Sequence, residues 1–330
     1  MGSLSIGNCN VRRRVTVTCL VVLVWALLQL VRSSGSLPYK NARRFGRVPD
    51  RSRSYVFYAT QDIYACSVLV NVHVLRNLLH TRYRIAAILS AEVAPEIQHA
   101  MEEAGVDVYE ETPPLLHQDS IAYYRDCLLK LKAFKMHELD PSLKEIVVLD
   151  SDQFIMHNID DLFDVHYINY TAPSAYWIDH LWLASTCVLI RLDPLLWKDI
   201  EAATRSIGPG RFDMEIVNDL FRVPSQILSG SYVTLDSAWG DWILPNWFDT
   251  KKTASRVEAK STRASSRELE DLYHHQAKII HFTVVGKPWM HDVEGLRKLR
   301  PSAHPLLTEL FRRWRTIAME MCPLKLIDHV

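Results

Sequence analysis

Asp150 and Asp152 stand two residues apart, directly after the apolar run Glu145-Ile146-Val147-Val148-Leu149. Carboxylates at i and i+2 in an extended turn can point to the same side, and hard oxygen ligands of this kind hold Mg2+ or Mn2+ while leaving positions for phosphate oxygens. A diphosphate leaving group requires such a site. Similar pairs also cap helices and decorate loops, so it is the place after a strand-like run that gives this pair its weight. His281 lies in a second apolar run, Ala277-Lys278-Ile279-Ile280-His281-Phe282-Thr283, with Gly286-Lys287-Pro288-Trp289 after it. An imidazole suits Mn2+ as a third ligand, and a nearby ammonium neutralises charge building on a departing diphosphate. The alternative for His281 is a histidine satisfied within the core.

These residues need a frame. Tyr55 to Ala59, Arg84 to Leu89 and Val106 to Tyr109 read as strands, with helices over Ala65 to Leu79 and Pro95 to Ala104. Ser120 to Leu139 reads as a helix stopping before Asp140-Pro141, and Glu145 to Leu149 as a fully buried parallel strand. The alternation predicts an α/β fold with a doubly wound, mostly parallel sheet. Ligands of such sheets bind outside the carboxyl ends of the strands, where Asp150-Ser151-Asp152 falls. Farther on, Val188 to Leu192 is a strand candidate, Asp213 to Phe221 a helix, and Ala277 to Thr283 a last strand. Residues 250–271 are charged, small and aperiodic and read as a flexible insertion. Pro305 to Met321 places Leu306, Leu310, Trp314, Ile317 and Met321 on one helical stripe, a packing face.

With 330 residues, 48% of them hydrophobic, the chain can bury one substantial core or two small ones. Lys plus Arg and Asp plus Glu number 38 each, so no global field draws nucleic acid. Val15 to Val31 is uncharged and follows Arg12-Arg13-Arg14, the arrangement of a signal anchor whose N-terminus stays in the cytosol. At about 25 Å it is near the lower limit for spanning a bilayer; the alternative is a signal peptide cut within Ser33-Ser34-Gly35-Ser36. The expected organisation is a cytosolic tail (1–14), a transmembrane anchor (15–31), a stem (32–54), a catalytic domain (55–290) and a helical extension (291–330). The sequon Asn169-Tyr170-Thr171 and four cysteines beyond the anchor, Cys66, Cys127, Cys187 and Cys322, agree with a lumenal domain in the Golgi or endoplasmic reticulum. The cysteines form one or two disulfides or remain buried thiols; their spacing does not suggest zinc.

Four segments in order, Tyr58-Ala59-Thr60-Gln61-Asp62-Ile63-Tyr64, Val148-Leu149-Asp150-Ser151-Asp152, Asn158-Ile159-Asp160-Asp161-Leu162-Phe163, and His281-Phe282 with Gly286-Lys287-Pro288-Trp289, resemble the signature of glycosyltransferase family eight. Glycogenin and fungal N-acetylglucosaminyltransferases belong to that group. The resemblance spans about residues 55–290 and implies a single Rossmann-like, nucleotide-sugar-binding domain of the GT-A type. It implies that Tyr58, Thr60, Gln61 and Tyr64 receive uracil and ribose, with Tyr64 able to stack on the base. Asp150, Asp152 and His281 match the ligands of Mn2+ or Mg2+, around Ser151, and Gly286-Lys287 supplies the diphosphate-binding lysine. Lys130 matches a helical lysine near the donor, with Arg125 about a turn and a half earlier; a solvated charge on an amphipathic helix is the other reading of Lys130. Asp213 matches an acidic residue beneath the donor sugar, or else caps the following helix.

The implied reaction is retaining transfer of glucose, N-acetylglucosamine or galactose from a UDP-sugar to a hydroxyl of a glycan, glycoprotein or glycolipid. Two departures touch the sugar pocket: Ser185-Thr186-Cys187 stands where Asn-Ser-Gly is usual, and Met214 where Gln is usual. They motivate a second reading, a catalytically weak, membrane-anchored nucleotide-sugar binder. The run Val147 to Asp152 also resembles the first motif of haloacid-dehalogenase-type phosphatases, with Asp150 as nucleophile. Trp239, Trp242 and Trp247 fall near the expected rim, either stacking on acceptor sugars or packed in the core.

Overall fold

Along Arg53–Ala59 (β1), Tyr55, Phe57 and Ala59 enter one apolar core and Val56 enters another. The same division runs through Arg84–Leu89 (β2) and Glu145–Leu149 (β4), with Asp107–Glu110 (β3) at the sheet edge. Strands apolar on both faces must be covered on both faces, which is why these runs carry no polar alternation. The computed structural model describes residues 50–120, 126–167, 169–222, 226–248, 263–323 and 326. The expected anchor at 15–31, most of the stem and Arg125 lie outside the described residues. No helix among the described residues is long and apolar enough to cross a membrane.

The other strands are Gln153–Ile155 (β5), Tyr170–Pro173 (β6), Cys187–Arg191 (β7), Ile227–Leu228 (β8), Thr234–Leu235 (β9) and Ile279–His281 (β10). The helices are Asp62–His73 (α1), Pro95–Glu103 (α2), Met136–Leu139 (α3), Pro194–Arg205 (α4), Asp213–Phe221 (α5), Ser237–Asp241 (α6), Ser266–Asp271 (α7), Val293–Leu299 (α8) and Pro305–Met321 (α9). The main sheet has the order β3-β2-β1-β4-β7-β6-β8. Its first four strands are parallel, and the order reverses direction between β1 and β4, which opens a crevice at their carboxyl ends. The sheet is mostly parallel, as expected, with two antiparallel pairings beyond β4: β7 is antiparallel to β4, and β6 is antiparallel to β7, while β8 returns parallel to β6. His281 also belongs elsewhere than expected, to a separate small sheet of order β5-β10-β9.

Three further expectations change in detail. The helix foreseen over Ser120 to Leu139 is a 3-10 helix, Asp126–Lys135, running into α3, with 121–125 outside the described residues. The helix Ala65 to Leu79 begins earlier, at Asp62, and widens into a π-helical turn over Val74–Leu78. Within the insertion 250–271, residues 266–271 form α7, which anchors on the core through Leu269: Ser265 caps it, exchanging hydrogen bonds with Glu268, and Leu269 is fully buried.

The last long helix is tied to the first. Cys66 and Cys322 form a disulfide, while Cys127 and Cys187 are free thiols. The Trp314 indole N–H donates to Ser67 Oγ at 3.1 Å, and the Ser67 hydroxyl donates to the Ser151 carbonyl at 2.6 Å. Asn71, one turn along α1, donates to the Gln153 carbonyl at 2.8 Å and accepts from the Ile155 amide at 3.2 Å. Buried polar groups on α1 thereby hold the backbone that follows β4.

Candidate active site

β1 and β4 end side by side, with Phe57 in register with Leu149, so the next residues, Tyr58 and Asp150, are neighbours. The Tyr58 hydroxyl donates to Asp150 Oδ1 at 3.0 Å. Lys130, projecting from the 3-10 helix, places its ammonium 2.7 Å from Asp150 Oδ1 and 2.7 Å from Asp213 Oδ2, and donates to Ser185 Oγ at 3.3 Å. It is 5% exposed, which rules out the solvated-charge reading. Asp213 is the first residue of α5 and Phe212 takes the cap position, so the carboxylate pairs with Lys130 instead of capping the helix. A carboxylate in the first turn also meets the positive end of the helix dipole.

Across the crevice, Lys287 donates to Asp152 Oδ2 and to the Phe282 carbonyl, both at 2.6 Å. His281 Nδ1 faces Asp152 Oδ1 at 3.6 Å and has no hydrogen-bond partner. One ligand atom from each of Asp150, Asp152 and His281 lies within 4.8 Å of the others. The donor set fits a divalent cation. Burial pushes the His281 imidazole down to about 4 against the pull of Asp152, so it is neutral at pH 7 and ready to ligate. Burial, with Asp152 and Asp213 nearby, pushes Asp150 up to about 6 despite Lys130. Asp152 is also pushed up by burial, but His281 and Lys287 outweigh that and hold it below the usual carboxylate range. Asp213 is lowered for the same kind of reason, its burial overcome by the charge and hydrogen bond of Lys130 and by hydrogen bonds from Ser185 and Cys127.

The cluster borders a cavity of about 540 Å3. Tyr58, Thr60, Tyr64, Lys130, Asp150, Ser151, Asp152, Asp213, His281 and Lys287, all foreseen from the sequence, line it. Gln61 and Gly286 do not line it. Gln61 is the exposed residue ahead of α1, and Gly286 turns the chain at φ +89, a left-handed conformation in which a Cβ would also press on the Met290 sulfur. The motif Asn158 to Phe163 is architectural: Asp160 accepts from Tyr55 and Thr81, Asp161 from Tyr232 and Lys278, and Leu162 and Phe163 are core. Ser185, one of the departures, remains in the cluster through Lys130. Met214, the other, packs on a small apolar group of Ala175, Ala184 and Val233.

Cys127, Leu235 and Thr283 also line the cavity without having been foreseen, and two further contributors stand out. Trp177, on the loop between β6 and β7, lines the same cavity. Asp236, fully buried, accepts through Oδ1 from the Thr283 amide at 2.8 Å, the Thr283 hydroxyl at 2.9 Å and the Val284 amide at 3.0 Å. It clamps the turn between His281 and Lys287. Nothing in its sequence surroundings marks it, since its partners are some fifty positions away. Of the three tryptophans, Trp239 is core and Trp242 bonds the Ser302 carbonyl; Trp247 lines a second cavity.

No family model matches the chain. Over 262 residues, 73% of its length, it is 28% identical to Glucose N-acetyltransferase 1 of Gibberella zeae, and it spans 54% of that protein, about half the length of this curated relative. Among solved structures it resembles the galactosyltransferase LgtC in complex with donor and acceptor sugar analogs, with a TM-score of 0.53 and 13% identity over 82% of this chain and 96% of that one. It also resembles the bifunctional glycosyltransferase WbbM in its apo form, with a TM-score of 0.51 and 13% identity over 81% of this chain and 52% of that one. The fold is therefore the one these glycosyltransferases share.

Proposed function

We propose that this chain is a metal-dependent glycosyltransferase that moves a hexosyl group from a UDP-sugar to a hydroxyl of a glycan, glycoprotein or glycolipid, with retention at the anomeric carbon. The observation that carries this reading is the charge balance of the cluster. Asp150, Asp152 and Asp213 face Lys130 and Lys287 with His281 neutral, so three negative charges meet two positive ones. A divalent cation held by Asp150, Asp152 and His281 turns the cluster net positive, the sign a diphosphate needs. When bound, Mn2+ or Mg2+ supplies Lewis-acid stabilisation of the leaving diphosphate.

The chain's own groups do the rest. Lys287 and Lys130 are held rigid and nearly dry, where a cation acts on developing phosphate charge far more strongly than in water. Tyr64 lines the crevice beside α1 with its ring edge-on to Trp289, placed to receive the base. Asp213 is fixed by Lys130 and Ser185, which suits a stationary negative charge beneath the sugar better than a nucleophile. Attack from the leaving-group face follows: the acceptor oxygen bonds to the anomeric carbon as the bond to the diphosphate breaks, and the acceptor proton passes to a diphosphate oxygen. With Met214 in place of an amide, the sugar pocket offers one fewer hydrogen-bonding side chain and a more apolar wall.

The Cys66–Cys322 disulfide supports an oxidising compartment, and we place the domain in the Golgi or endoplasmic reticulum lumen behind an anchor at 15–31. The test uses the full chain in detergent, measuring UDP release from a donor panel with and without Mn2+, for wild type and Asp152→Ala. Mn2+-dependent release that vanishes in the variant is expected. Binding of UDP without sugar consumption favours the catalytically weak reading, and acetyl-CoA consumption instead would favour the acetyl transfer for which the Gibberella relative is named. Release of inorganic phosphate from simple esters would point to a phosphatase.

A further inference from the structure

A second cavity, of about 370 Å3, adjoins the first. The two share a wall. Trp177 lines the first and Tyr176 the second, their rings 5.2 Å apart at 85°, and the Tyr176 hydroxyl accepts from the amide of Leu235, which lines the first. Tyr176 and Trp247 make an aromatic corner in the second cavity, centroids 6.5 Å apart at 73°. Around that corner stand Ser174, Ser229, His180 and the exposed amide of Asn246. Among the described residues, no Asp, Glu, Lys or Arg lines it.

That composition selects its occupant. A cavity without formal charge from acids, lysines or arginines has nothing for a diphosphate or a metal ion. Aromatic faces take the C–H face of a pyranose ring, and hydroxyl, imidazole and amide groups at the edge take its hydroxyls. The Trp247 indole is seated against Gly230, where any side chain would collide with it, so the ring is held in place. The loop that forms the shared wall also carries Trp177, Ile178 and Leu181, which are 38%, 56% and 57% exposed, giving the approach an apolar surface.

We propose that this second cavity is a subsite for a neutral hexopyranose unit of the acceptor, one residue removed from the sugar whose hydroxyl is glycosylated. The proposal rests on the glycosyltransferase reading and narrows it: the acceptor is an oligosaccharide of at least two neutral residues, bound across the Tyr176-Trp177 wall.

The test needs neither UDP nor metal, so it is separate from the donor experiment. Saturation-transfer NMR is run on the full chain in detergent with lactose, cellobiose, maltose, N,N′-diacetylchitobiose and α-1,2-mannobiose as probes. At least one disaccharide is expected to receive saturation in both rings, and Trp247→Ala and Asn246→Ala are each expected to weaken its affinity by about tenfold. Asn246 is exposed, so its variant tests the site even if Trp247→Ala fails to fold. Absence of transfer to every probe, or unchanged affinity in a folded Asn246→Ala, overturns the proposal.

Discussion

Replacing Lys130 by Met keeps the apolar stem and removes the ammonium that touches both Asp150 and Asp213. Both carboxylates then stay buried, at 6% and 7% exposure, with Asp152 as a further negative neighbour. Breaking a buried ion pair from one side costs about 3–5 kcal/mol, because the remaining charge is uncompensated. Protonation offers relief. Asp150 already sits near 6, above its ordinary 3.8, and loss of Lys130 raises Asp150 further and lifts Asp213 from its lowered value. An acid whose folded value lies above its unfolded value binds more protons when folded, so stability falls as pH rises through that window. The deficit of Lys130→Met relative to wild type should therefore be greatest at pH 8 and shrink toward pH 5, by at most about 1.4 kcal/mol per pH unit for each carboxylate involved. Urea unfolding of both proteins at pH 5.5 and 8, with and without Mn2+, measures it, and Mn2+ should restore part of the loss. A deficit independent of pH would refute the electrostatic account and leave Lys130 a packing residue.

Asp236→Ala removes the acceptor for three donors and should destabilise by about 2–4 kcal/mol with a fall in activity, whereas Asp236→Asn keeps Oδ1. Burial raises Asp236 to about 6 despite the Thr283 and Val284 donors, so wild type loses stability as pH rises between its unfolded value and 6. Asp150 adds a slope in the same window, so the Asn variant should show a shallower slope than wild type in calorimetric scans; a slope equal to wild type would assign it elsewhere. With the proposed ligand set, Mn2+ would need Asp150 ionised and His281 neutral, so titration calorimetry should find affinity level above pH 7 and falling about tenfold per unit below the Asp150 value. A break near 4 instead would make His281 the limiting ligand. Cys322→Ser opens a loop spanning 256 positions and should lower stability by about 2–5 kcal/mol. Dithiothreitol should then lower the melting temperature of wild type but not of the variant.

The parts of the molecule most legible in its sequence are those whose surroundings are uniform. β2, β4, α5 and α9 have the bounds expected, because each is a short continuous apolar run or a stripe with a clear start such as Pro305. β5 and β9, of three and two residues, are too short to show a period and exist only because β10 lies between them. The antiparallel placement of β7 leaves no mark in Cys187–Arg191, which is as apolar as a parallel strand. α7 has a local signal, Ser265 followed by Glu268 and Leu269, a capping pattern masked by a stretch dominated by charge. The metal set and both lysines could be found from local motifs. The clamp by Asp236, the Ser67 and Asn71 supports and the cysteine pairing are contacts between distant segments, and no local pattern encodes them.

The bond from Trp314 through Ser67 to the Ser151 carbonyl, reinforced by Cys66–Cys322, has a consequence for the order in which the protein can be made. The strand ends that carry Tyr58 and Asp150 are synthesised early, but the brace behind them comes from α9, the last long helix. A nascent chain therefore holds its acidic loop unbraced until about residue 322 has emerged and been oxidised. Chains halted before that stage should lack the brace, and limited proteolysis should cut them near the loop after β4 that the complete protein protects.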